Sequence, residues 1–194
     1  VGLEAKLEAL LHTPLEAADA WNEALRMLRE LGDPCGVTDR IGSRLLSASG
    51  EPPAQAVSNL QRLERAGMAA LGLDPSSAED LPALFELGGF HVSRLAALRQ
   101  PPAGHEPVVA ELVRRQVSRE THPWVLATMA TFLGVAGAPG DGPLLEALFA
   151  HPDPRVVANA LDSLRRLGVD ADRAALDRLL ASPDTRVSMN ALGV

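Results

Sequence analysis

The sequence predicts an all-α chain whose second half is an α-solenoid of antiparallel helical hairpins and whose N-terminal half is helical but less regular. Three observations lead there. Residues 107–194 repeat with a period of 31: Trp124, Arg155 and Arg186 share one register and Val125, Val156 and Val187 the next, while Asn159 answers to Asn190 and Leu133 to Leu164. A fixed period of this length marks stacked supersecondary units, each too thin to bury its apolar face alone. The chain is 46% hydrophobic but only 3% aromatic, with no tyrosine; Ala and Leu supply the apolar mass, which favours helices over a sheet of β-branched and aromatic side chains. Finally, each period holds two apolar segments of helical spacing, separated by His151-Pro152-Asp153-Pro154 or Ser182-Pro183-Asp184-Thr185.

Taken in order, residues 2–12 form a short helix with Leu3, Leu7, Leu10 and Leu11 on one face. Thr13-Pro14-Leu15-Glu16 reads as a capping box opening a second helix through Trp21 and Leu28 to Gly32. The spacing of Ala24-Leu25, Leu28 and Leu31-Gly32 matches that of Ala160-Leu161, Leu164 and Leu167-Gly168, so residues 2–32 read as one divergent hairpin of the later repeat. Asp33-Pro34 starts a third helix that breaks at Gly50, and Pro52-Pro53 a fourth that closes at Gly72. Ser77 to Leu87 and Phe90 to Leu98 read as two short helices flanking Gly88-Gly89. The stretch from Gln100 to His105 is the most linker-like, which divides the chain into an N-terminal region, 1–100, and a repeat region, 107–194. The latter pairs 107–119 with 123–136, 143–150 with 154–167 and 172–181 with 185–194: about three hairpins, the last one truncated. Connections of two to six residues make the helices of each pair antiparallel. The chain begins without Met and stops inside what the period marks as a helix, so it reads as a piece of a longer protein.

The second helix of each pair carries a family resemblance. Asp153-Pro154-Arg155-Val156-Val157-Ala158-Asn159-Ala160-Leu161, with Leu164 and Leu167-Gly168, resembles the HEAT repeat in the variety found in HEAT-like proteins related to phycobilisome lyases. Asp184 to Gly193 is similar, and over 107–137 Trp124 stands where the pattern has Arg. The resemblance implies a right-handed stack of helical hairpins that serves as a protein-binding scaffold without activity of its own.

Residue chemistry points the same way. Net charge is −7, and residues 1–100 carry 9 basic against 14 acidic groups, residues 101–194 9 against 11; neither half has the positive excess that phosphate binding needs. One cysteine excludes an internal disulfide and a metal cluster built on thiolates. Five scattered histidines have no clustered carboxylates to complete a ligand set, and the single pair His105-Glu106 is too few for the iron site of HEAT-like hydroxylases. Cys35 falls in the first turn of a helix, where the dipole lowers a thiol pKa, but it lacks a companion His or second Cys. The glycine-rich stretch Gly134–Gly142 follows a helix and has no Lys-Ser/Thr sequel, so it is an inter-repeat loop long enough to be mobile and not a phosphate loop.

Asp153 and Asp184 cap helix starts, and Arg155 and Arg186 can each reach a neighbouring Asp along one edge. Asn159 and Asn190 either bond the backbone of the adjacent unit or line the groove and meet a peptide; Trp124 is either an exposed anchor for a partner or a plug at an irregular junction. The expected function is a non-enzymatic scaffold or adaptor in a bacterial-type cytoplasmic assembly. It holds a partner protein or peptide through Trp124, Arg155, Asn159, Arg186 and Asn190, with no catalytic residue, cofactor, metal, nucleic acid or membrane. An acidic or C-terminal peptide suits those side chains, and the chain is expected to be a monomer or a weak dimer through its exposed terminal repeat. Two other readings compete: a HEAT-like DNA glycosylase, and a purely structural oligomerisation arm.

Overall fold

The computed structural model describes residues 2–14, 17–47, 52–74 and 76–194. Among them every regular element is helical and none is a strand. The chain divides into two compact units, residues 1–97 and 98–194.

The first unit holds α1 (Leu3–Ala9), which tightens into a 3-10 turn over Leu10–His12, then α2 (Ala18–Glu30), α3 (Pro34–Ser47), α4 (Ala54–Ala70), α5 (Leu81–Glu86) and most of α6 (His91–Arg99). Leu7, Leu11, Trp21, Leu28, Ile41, Leu60 and Leu63 form its core. A side chain of this size contributes about 1.5–3 kcal/mol when fully buried. The carbonyls that end the 3-10 turn are bonded from across the unit. Asn59 of α4 is fully buried, and its amide lies 3.0 Å from the Leu10 and Leu11 carbonyls and 2.8 Å from that of Thr13. The second helix starts later than the capping box predicts. Thr13 turns its hydroxyl back to the Ala9 carbonyl, 3.2 Å away, and so closes the first helix instead of opening the second. Leu15 and Glu16, like the break expected at Gly50, lie outside the described residues.

Asp33 caps α3 as its position predicts, accepting from the Gly36 amide at 2.8 Å. The helix expected over 77–87 is shorter: regular structure is confined to Leu81–Glu86. Upstream, polar side chains take the backbone groups a helix would use. Asp74 accepts from the Ser76 amide and hydroxyl, Asp80 from the Asp74 amide and Ser77 from the Glu79 amide.

The second unit holds α7 (Glu106–Gln116), α8 (Pro123–Ala136), α9 (Gly142–Glu146, continued by a 3-10 turn over Ala147–Ala150), α10 (Pro154–Leu167), α11 (Arg173–Leu180) and α12 (Thr185–Ala191). Helix α7 packs on α8, α9 on α10 and α11 on α12, and the second helices lie against one another in the order α8, α10, α12. Asp153, Asp172 and Asp184 cap α10, α11 and α12 through side-chain bonds to the first-turn amides. Gly168, in the left-handed region at φ 66°, closes α10.

Small side chains bring α8 and α10 close. Ala127, Ala130, Ala158 and Ala160 are buried between neighbours, and a Cβ added at Gly134 would lie 2.5 Å from the Ser163 hydroxyl and 2.8 Å from its Cα. The glycine-rich loop between α8 and α9 is tied down. Buried Asp141 accepts from the Ala138 amide at 2.8 Å and from both Nε (2.6 Å) and Nη2 (3.0 Å) of Arg114 on α7. That guanidinium holds the Asp141 carboxyl below its usual range.

The close approach at Gly134 gives the first test. Gly134→Ala gains about 1 kcal/mol of helix propensity, but its methyl meets backbone that has nowhere to go. The expected net effect is a loss of about 1–3 kcal/mol, read as a lower urea midpoint; equal or greater stability than wild type refutes the contact.

Candidate functional site

The candidate residues sit along the starts of α8, α10 and α12. Asp153 fixes the first turn of α10 by accepting from the Arg155 amide at 2.9 Å, and the Arg155 side chain folds back to the same carboxylate, with Nη2 2.6 Å from Oδ2. The guanidinium keeps the Asp153 carboxyl below its ordinary range, and the carboxylate raises that of Arg155. The same guanidinium lies 5.1 Å from the centroid of the Trp124 ring, one period earlier on α8. Trp124 is partly buried and Arg155 exposed.

One period later the geometry differs. Asp184 accepts from the Arg186 and Val187 amides at 3.0 and 3.1 Å, but the Arg186 guanidinium does not return to it. It donates instead to Oδ1 of Asn159, 2.7 Å away. The expected row of Asp–Arg pairs is therefore one pair followed by an Arg–Asn pair. Among the described residues Arg186 forms no ion pair, so its charge is met by an amide dipole alone.

Asn159 and Asn190 bond the backbone of the preceding unit: Nδ2 of Asn159 donates to the Ala127 carbonyl at 3.0 Å, and Nδ2 of Asn190 to the Ala158 carbonyl at 2.8 Å. The Asn159 amide is thus engaged at both ends, which makes it a bridge that holds Arg186. The structure brings Trp124 together with Arg155, and Asn159 with Arg186 and α8. It also leaves two neighbouring guanidiniums exposed on one edge.

A second polar constellation lies in the first unit, and the sequence reading missed it. Nε2 of buried His91 is 2.9 Å from Oδ1 of Asp39 and 3.2 Å from the Ser43 hydroxyl, while Nδ1 is 3.1 Å from Nη2 of Arg94. Ser, His and Asp meet here, but in an order that cannot activate the serine. A guanidinium only donates, so Nδ1 is the acceptor and Nε2 carries the proton toward Asp39 and Ser43. No nitrogen remains to take a proton from Ser43. Nearby, Glu64 of α4 is fully buried and accepts from the Val92 amide (3.0 Å), the Ser93 amide (2.7 Å) and the Ser93 hydroxyl (2.8 Å), capping α6 from another helix. The available signal was Glu64 itself, a carboxylate on the face that Leu60, Leu63 and Met68 mark as apolar.

Cys35 donates to the Leu87 carbonyl at 3.0 Å, and burial pushes its thiol up, against the lowering expected from a helix start. Nucleophilic chemistry is not favoured there. A surface hollow of about 400 Å³ lined by Asn22, Arg26, Arg29 and Glu30 has Arg26 already bridged to Glu23 and Glu30. Among the described residues no group of three or more His, Cys, Asp or Glu is placed to hold a metal ion, and no helix is long and apolar enough to cross a membrane. Comparison with family models, curated proteins and solved structures finds no match to this chain.

Burial outweighs the three donors at Glu64 and pushes its carboxyl up to about 7, from an ordinary 4.5. The folded state then holds this proton at a pH where the unfolded chain has released it. The resulting stability is complete below pH 4.5 and lost as pH rises through 7, with a slope of at most about 1.4 kcal/mol per pH unit. Asp141 and Asp153, both held low, act below that window. Denaturation midpoints from pH 4.5 to 8 are expected to fall for the wild type and to stay flat for Glu64→Gln; the same slope in both would place the proton elsewhere.

Proposed function

We propose that residues 106–194 form a HEAT-like α-solenoid that acts as a protein-binding scaffold without catalysis, taking an acidic or C-terminal peptide segment along the Trp124–Arg155–Arg186 edge. The single observation behind this reading is the state of Arg186. Its side chain is exposed and oriented by Asn159, and an amide, not a carboxylate, meets its charge. A carboxylate arriving there forms a charge-assisted bond without first displacing an ion pair. Arg155 and Trp124 extend the edge by one period, offering a guanidinium stacked on an indole beside it. Regular spacing along an edge is what an extended peptide reads, because its own residues also recur at a fixed rise.

The acidic balance of the unit argues against the nucleic-acid alternative, since a DNA-binding stack needs net positive charge on its contact face. Self-association through this edge would set arginine against arginine.

The test is fluorescence anisotropy with acidic peptides that end in a free carboxylate. Arg155→Glu combined with Arg186→Glu is expected to weaken binding at least 10-fold, on the scale of about 1.5–3 kcal/mol for a hydrogen bond to a charged group. Helical circular dichroism should be unchanged. Equal affinity for wild type and a folded double variant rejects the edge as the binding surface.

A further inference from the structure

The face of α12 turned away from α10 repeats, position by position, a surface that is covered twice inside the same unit. Ala127 and Ala158, one period apart, are 6% and 0% exposed, and the residue next in that register, Met189, is 60% exposed. Ala130 and Leu161 are both 0% exposed, and Leu192 in the same register is 68% exposed. The first two sets are buried because the next second helix lies on them: α10 on α8, and α12 on α10. The α10–α12 contact specifies what that next helix brings. Val187 and Ala191 pack on Val157, Ala158 and Leu161. The Asn190 amide donates to the Ala158 carbonyl, and the Arg186 guanidinium to the Asn159 side chain.

We infer that this face, centred on Met189 and Leu192, is a docking surface for a helix of a partner protein carrying Arg, Val, Asn and Ala at relative positions 0, 1, 4 and 5. The Asn of that helix bonds the Met189 carbonyl, its Arg the Asn190 side-chain oxygen, and its Val and Ala cover Met189 and Leu192. The docked helix continues an interface that the unit already makes between α10 and α12, with the same bonds one period on. A second copy of this chain does not fit, because both of its asparagines of this register already donate to carbonyls of their own chain. Large exposed apolar side chains grouped on one helix face are also what a partner interface presents before it is covered. Met189 adds an adaptable contact, since an unbranched thioether fits irregular surfaces. The face is independent of the peptide edge: the guanidiniums of Arg155 and Arg186 point back to Trp124 and Asn159, so the double variant above leaves it intact.

The probe is a synthetic peptide with the sequence of residues 170–194, whose Asn is free to donate. The readout is the methionine methyl spectrum of the full 194-residue chain, in which fully buried Met68 and Met129 serve as internal references. Saturable movement of the Met189 methyl is expected, with little at the two references. The peptide made with Asn190→Ala should bind roughly 5-fold more weakly, the effect of about 1 kcal/mol for one hydrogen bond. Leu192→Asp in the chain should abolish the movement; the site is exposed, so folding is retained. No saturable shift at millimolar peptide overturns the inference. So does a shift that survives Leu192→Asp, which means the peptide has displaced α11 and α12. Concentration-dependent movement of Met189 without peptide, abolished by Leu192→Asp, overturns it in favour of a second copy.

Discussion

The second unit depends on how closely one helix can approach the next. Side chains of one carbon or none at Ala127, Ala130, Gly134, Ala158 and Ala160 bring α8 and α10 to a distance where a short amide reaches across to a backbone carbonyl. Asn159 and Asn190 then make the same bond one period apart. A residue with a longer side chain would hold the helices apart, and a residue without an amide would leave the approach without a polar anchor. An apolar stripe allows one helix to slide along another at little energetic cost; a donor aimed at one carbonyl selects a single register.

That register organises the edge. Because Asn159 is held by the Ala127 carbonyl, its oxygen stands in one place, and the Arg186 guanidinium settles on it instead of folding back to Asp184. Arg155 has no Asn in the unit before it; Thr128 occupies that position, and its hydroxyl bonds the Trp124 carbonyl of its own helix. Arg155 therefore pairs with Asp153 and lies on Trp124. Two arginines of identical local sequence context thus differ in charge state of their surroundings because of one residue on the preceding helix. The surface available to a partner follows from an internal packing choice.

The first unit meets the same requirement, satisfied polar groups beside a dense apolar core, with different residues. Asn59 closes the 3-10 turn after α1, and Glu64 closes the start of α6, each from the middle of α4. A helix that carries two buried polar side chains between Leu60, Leu63 and Met68 positions three other elements by their ends. The polar cluster of His91, Asp39, Ser43 and Arg94 belongs to this scaffolding: each nitrogen of the imidazole is spoken for, and the serine has no base.

The sequence by itself determined the helical class, the 31-residue period, and the starts of α3, α10 and α12, because these rest on interactions within a few residues: an Asp before an open first turn, a Pro that fits it, apolar residues recurring every three or four positions. Tertiary structure decided where local signals competed or where the partner is distant in the chain. Thr13 could open one helix or close another, and the carbonyl of Ala9 took its hydroxyl. Asp74, Ser76 and Ser77 look helical in composition, yet their side chains bond one another's backbone and keep α5 short. Arg186 has an Asp two residues away and an Asn 27 residues away, and only the folded chain shows that the distant one is nearer in space. Spacing along a chain reports which face a residue occupies; which atom it meets there depends on the neighbouring helix, whose position is set by packing that no local pattern encodes.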